Sequence, residues 1–146
     1  MNDQKPFSPQ DIRPAAGYAG DITPQKAWEW VHQDKALLID VRTSAELAWV
    51  GYVPGGVHIA WKEWPGMVGN EQFDHRLEEV APDLTRPLLF LCRSGQRSVF
   101  AAQRATALGY TAAYNILDGF EGVLDAHGHR NTVSGWRSLG LPWQQG

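Results

Sequence analysis

Short, almost unbroken apolar runs, separated by stretches with helical spacing, constrain this chain more than any other feature. ALLIDV (36 to 41) and PLLFLC (87 to 92) lack the apolar-polar alternation of a half-buried strand. Runs of this kind fit parallel strands covered on both faces, since a strand between two layers has no side to show to water. TAAYNILDG (111 to 119) reads as a further strand running into a turn, and VHIA, after the turn GYVPGG, as another. The segments between them carry the other period. Thr23 before Pro24 offers a capping hydroxyl with proline at the first helical position, and Ala27, Trp28 and Val31 follow as an apolar stripe to about residue 33. SAELAWV (44 to 50), FDHRLEEV (73 to 80) and the alanine-rich SVFAAQRATALG (98 to 109), closed by Gly109, supply the remaining helices. Strands and helices alternating at these intervals predict an α/β fold, a central parallel sheet of about five strands flanked by helices on both faces. Residues 62 to 86 show little pattern beyond FDHRLEEV.

At 146 residues the chain suits one domain with a core that needs neither disulfides nor metal. Residues 1 to 20 are polar and carry Pro6, Pro9 and Pro14, so they read as an arm, lying on the surface or disordered, ahead of a domain spanning 21 to 146. The net charge of −3 provides no basic field for nucleic acid. No apolar run approaches the ~20 residues needed to cross a bilayer. One cysteine forms no internal disulfide, and MNDQKPFSPQDIRP has no apolar secretory segment, so a reducing cytoplasm is the expected location. The seven tryptophans read mainly as core and lid packing.

The single cysteine, Cys92, stands in FLCRSGQRSVF (90 to 100), at the carboxyl end of a strand and before a helix. In open α/β sheets ligands sit at such ends. Arg93, Ser94, Gly95, Gln96 and Arg97 can wrap backbone N–H groups around a centre, Gly95 permits the positive φ the turn needs, and Ser98 lies near the helix start. A free cysteine on an apolar strand is commonly core filler. Two arginines beside it argue otherwise, because a structural thiol gains nothing from guanidinium groups that must themselves be solvated or paired. The helix dipole and the arginines favour a thiolate, so Cys92 reads as a nucleophile in an anion-binding nest. Loop length narrows the chemistry. Tyrosine-phosphatase-like sites place an arginine six positions after the cysteine, where this chain has Ser98, and Arg97 is five positions on. The tighter ring suits an added sulfur atom better than a tetrahedral phosphoryl group.

LLIDVRTSAEL (37 to 47), GYVPGGVHI (51 to 59), LLFLCRSGQRSVFAAQRATALGY (88 to 110), YNILDGFEG (114 to 122) and GWRSLGLPW (135 to 143) together resemble the single-domain rhodaneses, a sulfurtransferase family. The resemblance implies a catalytic Cys92 that takes a sulfane sulfur from a donor such as thiosulfate, becomes a persulfide, and passes the sulfur to a thiol or cyanide. The N–H groups of residues 93 to 97 would hold the outer sulfur, and Arg93 and Arg97 would orient an anionic donor. Asp40 and Arg42 match the family's Asp-Val-Arg as supporting residues, with Arg42 expected to pair with Glu46 at the i, i+4 spacing. The implied partners are a small-molecule sulfur donor and a thiol acceptor, with a sulfur-relay protein as one form of acceptor, since a chain with one cysteine cannot resolve its own persulfide. No cofactor is implied.

The chain departs from the family pattern after GFEG, where VLDAHGHRNTVS (123 to 134) intervenes before Gly135 and Trp136. This insertion is expected to form a lid or docking loop near the active site. Its Asp125, His127 and His129 raise the question of zinc, but a glycine-flanked polar loop reads as solvated surface, and no metal is assigned. His58 reads as a structural hydrogen-bonding residue. The competing functions are a rhodanese-related phosphatase or arsenate reductase, which the short loop argues against, and a non-catalytic binding or sensing module, which the complete cysteine loop argues against.

Overall fold

Twelve elements alternate along the chain in the computed structural model, which describes residues 11–145. They are β1 (Ile12–Ala15), β2 (Tyr18–Ile22), α1 (Pro24–His32), β3 (Leu37–Asp40), α2 (Ser44–Trp49), β4 (Val57–His58), β5 (Lys62–Glu63), β6 (Val68–Gly69), α3 (Phe73–Val80), β7 (Leu88–Leu91), α4 (Arg97–Ala107) and β8 (Ala113–Ile116). Six strands make the main sheet in the order β1-β2-β8-β7-β3-β4, one more than the sequence suggested. Every pairing is parallel except that of β1 with β2. The additional strands come from the segment read as an arm. Ile12–Ala15 and the start of Tyr18–Ile22 belong to the sheet, whereas 1–10 lie outside the described residues. YAGDI does not advertise itself as a strand because a polar aspartate and a glycine interrupt it, and Gly20 is required by backbone approach: a Cβ there would stand 2.4 Å from the Arg13 carbonyl oxygen.

The continuous apolar runs are the doubly covered strands. All four residues of β7 are buried, and they alternate between two cores. Leu88 and Phe90 join Ile39, Phe73, Leu77, Ala101 and Ala105 beneath α3 and α4. Leu89 and Leu91 join Ile22, Ala27, Leu38, Phe120 and Trp136 on the α1 side. The alanines of α4 allow that helix to lie close against the sheet. α1 begins as expected, with the Thr23 hydroxyl accepting from the Lys26 N–H at 3.3 Å. Residues 62–69 form an unexpected hairpin of β5 and β6, tied to the start of α2 by Glu63, which accepts from the Ser44 N–H at 2.8 Å and from its hydroxyl at 2.7 Å.

At the carboxyl end of β3 a buried ion pair fastens three segments. Arg42 is fully buried and meets Asp40 through Nε to Oδ1 at 2.9 Å and Nη2 to Oδ2 at 2.7 Å. Nη2 also donates to the Gly51 carbonyl at 2.7 Å, and the guanidinium lies 4.2 Å from the centre of the Phe120 ring. The expected pairing of Arg42 with Glu46 does not form. Arg42 precedes the cap residue Thr43 and turns inward, while Glu46 closes a capping box by accepting from the Thr43 N–H at 2.9 Å. Arg42→Ala strands the Asp40 carboxylate in the interior, and the expected loss is about 3–5 kcal/mol of unfolding free energy. A urea titration measures it, and a midpoint within error of the wild type would deny the pair this role.

Candidate active site

The register of β7 aims Cys92. With Leu88 and Phe90 facing α4, the residue two positions further on faces the same way, and Cys92 belongs to that core with 1% exposure. The chain then turns sharply. Gly95 has φ +99°, and its N–H donates to the Cys92 sulfur at 3.1 Å. The far side of the turn is braced by residues 119–121: the Phe120 N–H donates to the Cys92 carbonyl at 2.8 Å and the Glu121 N–H to the Arg93 carbonyl at 2.9 Å. Gly119 is required there, since a Cβ would stand 2.4 Å from the Cys92 carbonyl oxygen. α4 starts at Arg97 without a side-chain cap, so the N–H groups of its first turn, and its positive dipole end, face the loop.

The loop residues occupy different environments. Ser98 is fully buried, and its hydroxyl oxygen is 3.1 Å from the sulfur. Arg97 lies across the pocket and is held by a two-pronged ion pair, Nη1 to Glu46 Oε1 at 2.8 Å and Nη2 to Glu46 Oε2 at 2.9 Å. Arg93 and Gln96 are exposed, Ser94 is half-buried, and Arg93 makes no ion pair among the described residues. Above the loop opens a cavity of about 540 Å³ whose lining includes Trp49, Trp64, Met67, Glu46, Arg93 and Arg97. Trp49 from α2 and Trp64 from the 62–69 hairpin are 76% and 58% exposed, and they make its apolar rim.

A family model for the rhodanese-like domain matches residues 23–126. The chain belongs to the rhodanese-like family. It is 48% identical to Rv0390 of M. tuberculosis, whose crystal structure superposes with a TM-score of 0.77 over 88% of this chain and 99% of that one. The Rickettsia conorii protein RC0915 is 35% identical over 85% of this chain and 96% of its own length. The thiosulfate sulfurtransferase GlpE of Actinobacillus succinogenes is 25% identical over 85% and 89%, respectively.

Within this rhodanese-like domain the insertion adjoins the cavity through Glu121, a lining residue whose carbonyl accepts from the Asn131 N–H at 2.7 Å. The cavity wall opposite the loop is the 62–69 hairpin with α2, and residues 123–134 are not among those lining it. The insertion is organised by Asp125. One carboxylate oxygen accepts from the N–H groups of His127 and His129 at 2.8 and 2.9 Å, and the other from the Thr132 hydroxyl at 2.8 Å. Its ends are pinned at Gly122 and Gly135, where a Cβ would stand 2.0 Å from the Ser134 carbonyl oxygen and 2.4 Å from the Gly122 nitrogen, respectively. Among the described residues no group of three His, Cys, Asp or Glu side chains is placed to hold a metal. His58 lies with Nε2 2.7 Å from the Arg42 carbonyl, so that nitrogen carries the hydrogen, and the ring supports the loop after β3.

Sequence reasoning passed over Asn115 and Asp21, which the fold brings to the cysteine. Asn115 alternates with Tyr114 and Ile116 and faces α4, where it bonds Ser98. Its signal was available: a polar amide inside a doubly buried strand must have a hydrogen-bond partner.

Burial alone would raise the Glu46 pKa, but hydrogen bonds from Arg97 and Thr43 outweigh it and hold the carboxyl at about 2. A lowered carboxyl pKa contributes stability that is present above the ordinary value near 4.5 and lost as pH falls through about 2. Glu46→Gln is expected to flatten the pH dependence of stability between those limits. Denaturant midpoints followed from pH 5 to 2 test this, and an unchanged slope would contradict it.

Proposed function

We propose that this rhodanese-like domain is a sulfurtransferase whose Cys92 carries the transferred sulfur. In the first step the Cys92 thiol gives up its proton to solvent and the resulting thiolate attacks the sulfane sulfur of thiosulfate or an organic persulfide. A new S–S bond forms, the donor's S–S bond breaks, and sulfite or the donor thiolate leaves with the electron pair. In the second, an acceptor thiolate or cyanide attacks the outer sulfur, and the Cys92 sulfur leaves as thiolate. The observation carrying this reading is the Gly95 N–H aimed at the sulfur from 3.1 Å, beneath a cavity lined by Arg93 and Arg97. Donors oriented in this way favour sulfur species bearing negative charge. The position where a phosphatase-like loop carries arginine is filled by Ser98, buried against the sulfur. Ser94 and Gln96 complete the loop as donor-binding residues, and Asp40 and Arg42 support it from below. Because Arg97 is engaged by Glu46, Arg93 is the cation left to meet an anionic donor. With one cysteine in the chain, the acceptor is external, a small thiol or a relay protein, and the Trp49, Trp64 and Met67 rim suits an acceptor with an organic body. No described helix is long and apolar enough to cross a membrane, and a persulfide discharged by thiols fits a reducing cytoplasm.

Intact-mass measurement after incubation with thiosulfate is expected to show a gain of one sulfur atom, removable by cyanide or dithiothreitol and absent in Cys92→Ser. Failure to acquire sulfur from thiosulfate, glutathione persulfide or a cysteine desulfurase would overturn the proposal. Arg93→Ala is expected to lower kcat/KM for thiosulfate by roughly fivefold, through KM, while sparing an uncharged donor. Equal losses for both donors would remove the role assigned to Arg93.

A further inference from the structure

Beyond the loop, a chain of hydrogen bonds, buried at the cysteine and part-buried at its far end, runs across three elements. The Cys92 sulfur is 3.1 Å from the Ser98 hydroxyl oxygen, which is 2.5 Å from Asn115 Oδ1. Asn115 Nδ2 is 2.9 Å from Asp21 Oδ1, and that same carboxylate oxygen takes the Tyr18 hydroxyl at 2.8 Å. Ser98 is fully buried and Asn115 is 3% exposed, so each side chain depends on fixed partners for its hydrogen bonds. Asp21 and Asn115 are direct partners in the pairing of β2 with β8, which holds the two side chains together.

The direction of every hydrogen in this chain follows from its far end. A carboxylate only accepts, so Asn115 must turn its NH₂ to Asp21 and its carbonyl oxygen to Ser98. Two oxygens at 2.5 Å need a hydrogen between them, and the amide oxygen has none, so Ser98 donates. A hydroxyl has one hydrogen. Once it is given to Asn115, Ser98 presents a lone pair to the sulfur 3.1 Å away. A thiol answers that lone pair with its own hydrogen. A bare thiolate meets it as a repulsion, and turning the hydroxyl toward the thiolate would leave the Asn115 oxygen buried without a donor, which carries a desolvation penalty. In a persulfide the charge sits on the outer sulfur, and the inner sulfur facing Ser98 is neutral.

We propose that Asp21, acting through Asn115, is a positioning residue that fixes the direction of the Ser98 hydroxyl and so favours the thiol and the persulfide of Cys92 over the bare thiolate. Its persulfide half rests on the function proposed above, whereas its thiol half does not. Burial, with the hydrogen bond to Asp21 and its charge, pushes the Tyr18 hydroxyl up to about 12, so it remains a donor to Asp21 at any working pH. Arg97 of α4, Glu46 of α2 paired with it, the Asp40–Arg42 pair after β3, and Arg93 in the loop also face or flank the cysteine. They oppose or balance the Ser98 lone pair, and they are untouched by the substitutions below.

Asp21→Asn is the decisive change, because it alters charge and not shape. An amide at 21 lets Asn115 turn over, give its NH₂ to Ser98, and release the Ser98 hydrogen to the sulfur. The measurement is the rate of Cys92 alkylation by iodoacetamide against pH, on the intact protein and without any sulfur donor. Asp21→Asn is expected to move the profile toward lower pH by roughly one unit, alkylating about tenfold faster on its acid limb. In a Ser98→Ala background the same substitution is expected to have no effect, since the hydroxyl that transmits it is gone. Tyr18→Phe removes a neighbouring hydrogen bond but leaves the carboxylate in charge of Asn115, and its profile is expected to match the wild type. Superimposable profiles for Asp21→Asn and wild type, a shift that survives in Ser98→Ala, or an equal shift in Tyr18→Phe would each overturn the proposal. Thermal melts of each variant identify any change that comes from unfolding, and alkylation is informative whether or not the protein transfers sulfur.

Discussion

Leu88, Leu89, Phe90 and Leu91 are buried on both faces of β7, and the strand's period of two sends them by turns into the two cores. That alternation fixes which way the next side chains point, and the thiol of Cys92 follows Leu88 and Phe90 toward α4. A slip of one residue would turn the sulfur toward Trp136 and Phe120 on the other face, far from the helix start. The site therefore inherits its orientation from the core and not from the loop. The loop contributes the tight turn at Gly95 and the brace at Gly119, each of which needs a residue without a Cβ.

Three arginines around this turn have the same charge and different employment. Arg42 is spent entirely on structure, forked onto Asp40 and stacked over Phe120 with no exposure. Arg97 is divided, since its two-pronged pairing with Glu46 fixes its position while its charge is still felt at the cysteine. Arg93 is exposed and makes no ion pair among the described residues. Charge count alone would have assigned all of them to substrate. Burial and geometry separate them, because a desolvated guanidinium is held in place by its fixed partners, as Arg42 is by Asp40 and the Gly51 carbonyl, and does not reach a ligand.

Much of the fold could be read directly. The runs at 37–40 and 88–91, the Thr23–Pro24 helix start, and the alanine-rich helix ending near Gly109 all occur close to their expected bounds. The resemblance to rhodaneses, carried by the cysteine loop and the Asp-Val-Arg segment, is matched by the family found over residues 23–126. Short edge elements were not legible. β1 and the strands of the 62–69 hairpin are two to four residues long, and β2 is broken by Gly20 and Asp21, so their composition carries no strong period. The insertion was read as a lid or docking loop from its place in the chain, and its internal organisation around Asp125 was not legible.

Local chemistry is what the sequence determined by itself: an α/β alternation, one cysteine in a glycine-bearing turn, and the residue types that surround it. Such features depend on neighbours along the chain, within reach of periodicity and turn propensity. Partner choice was decided only in the tertiary structure. Glu46 prefers Arg97, 51 positions away, to Arg42, four positions away, and Asn115 bonds both Ser98, 17 positions away, and Asp21, 94 positions away. Those pairings arise because the sheet order places β2, β8 and β7 side by side, and a buried polar group takes whichever partner the packing brings within hydrogen-bond distance.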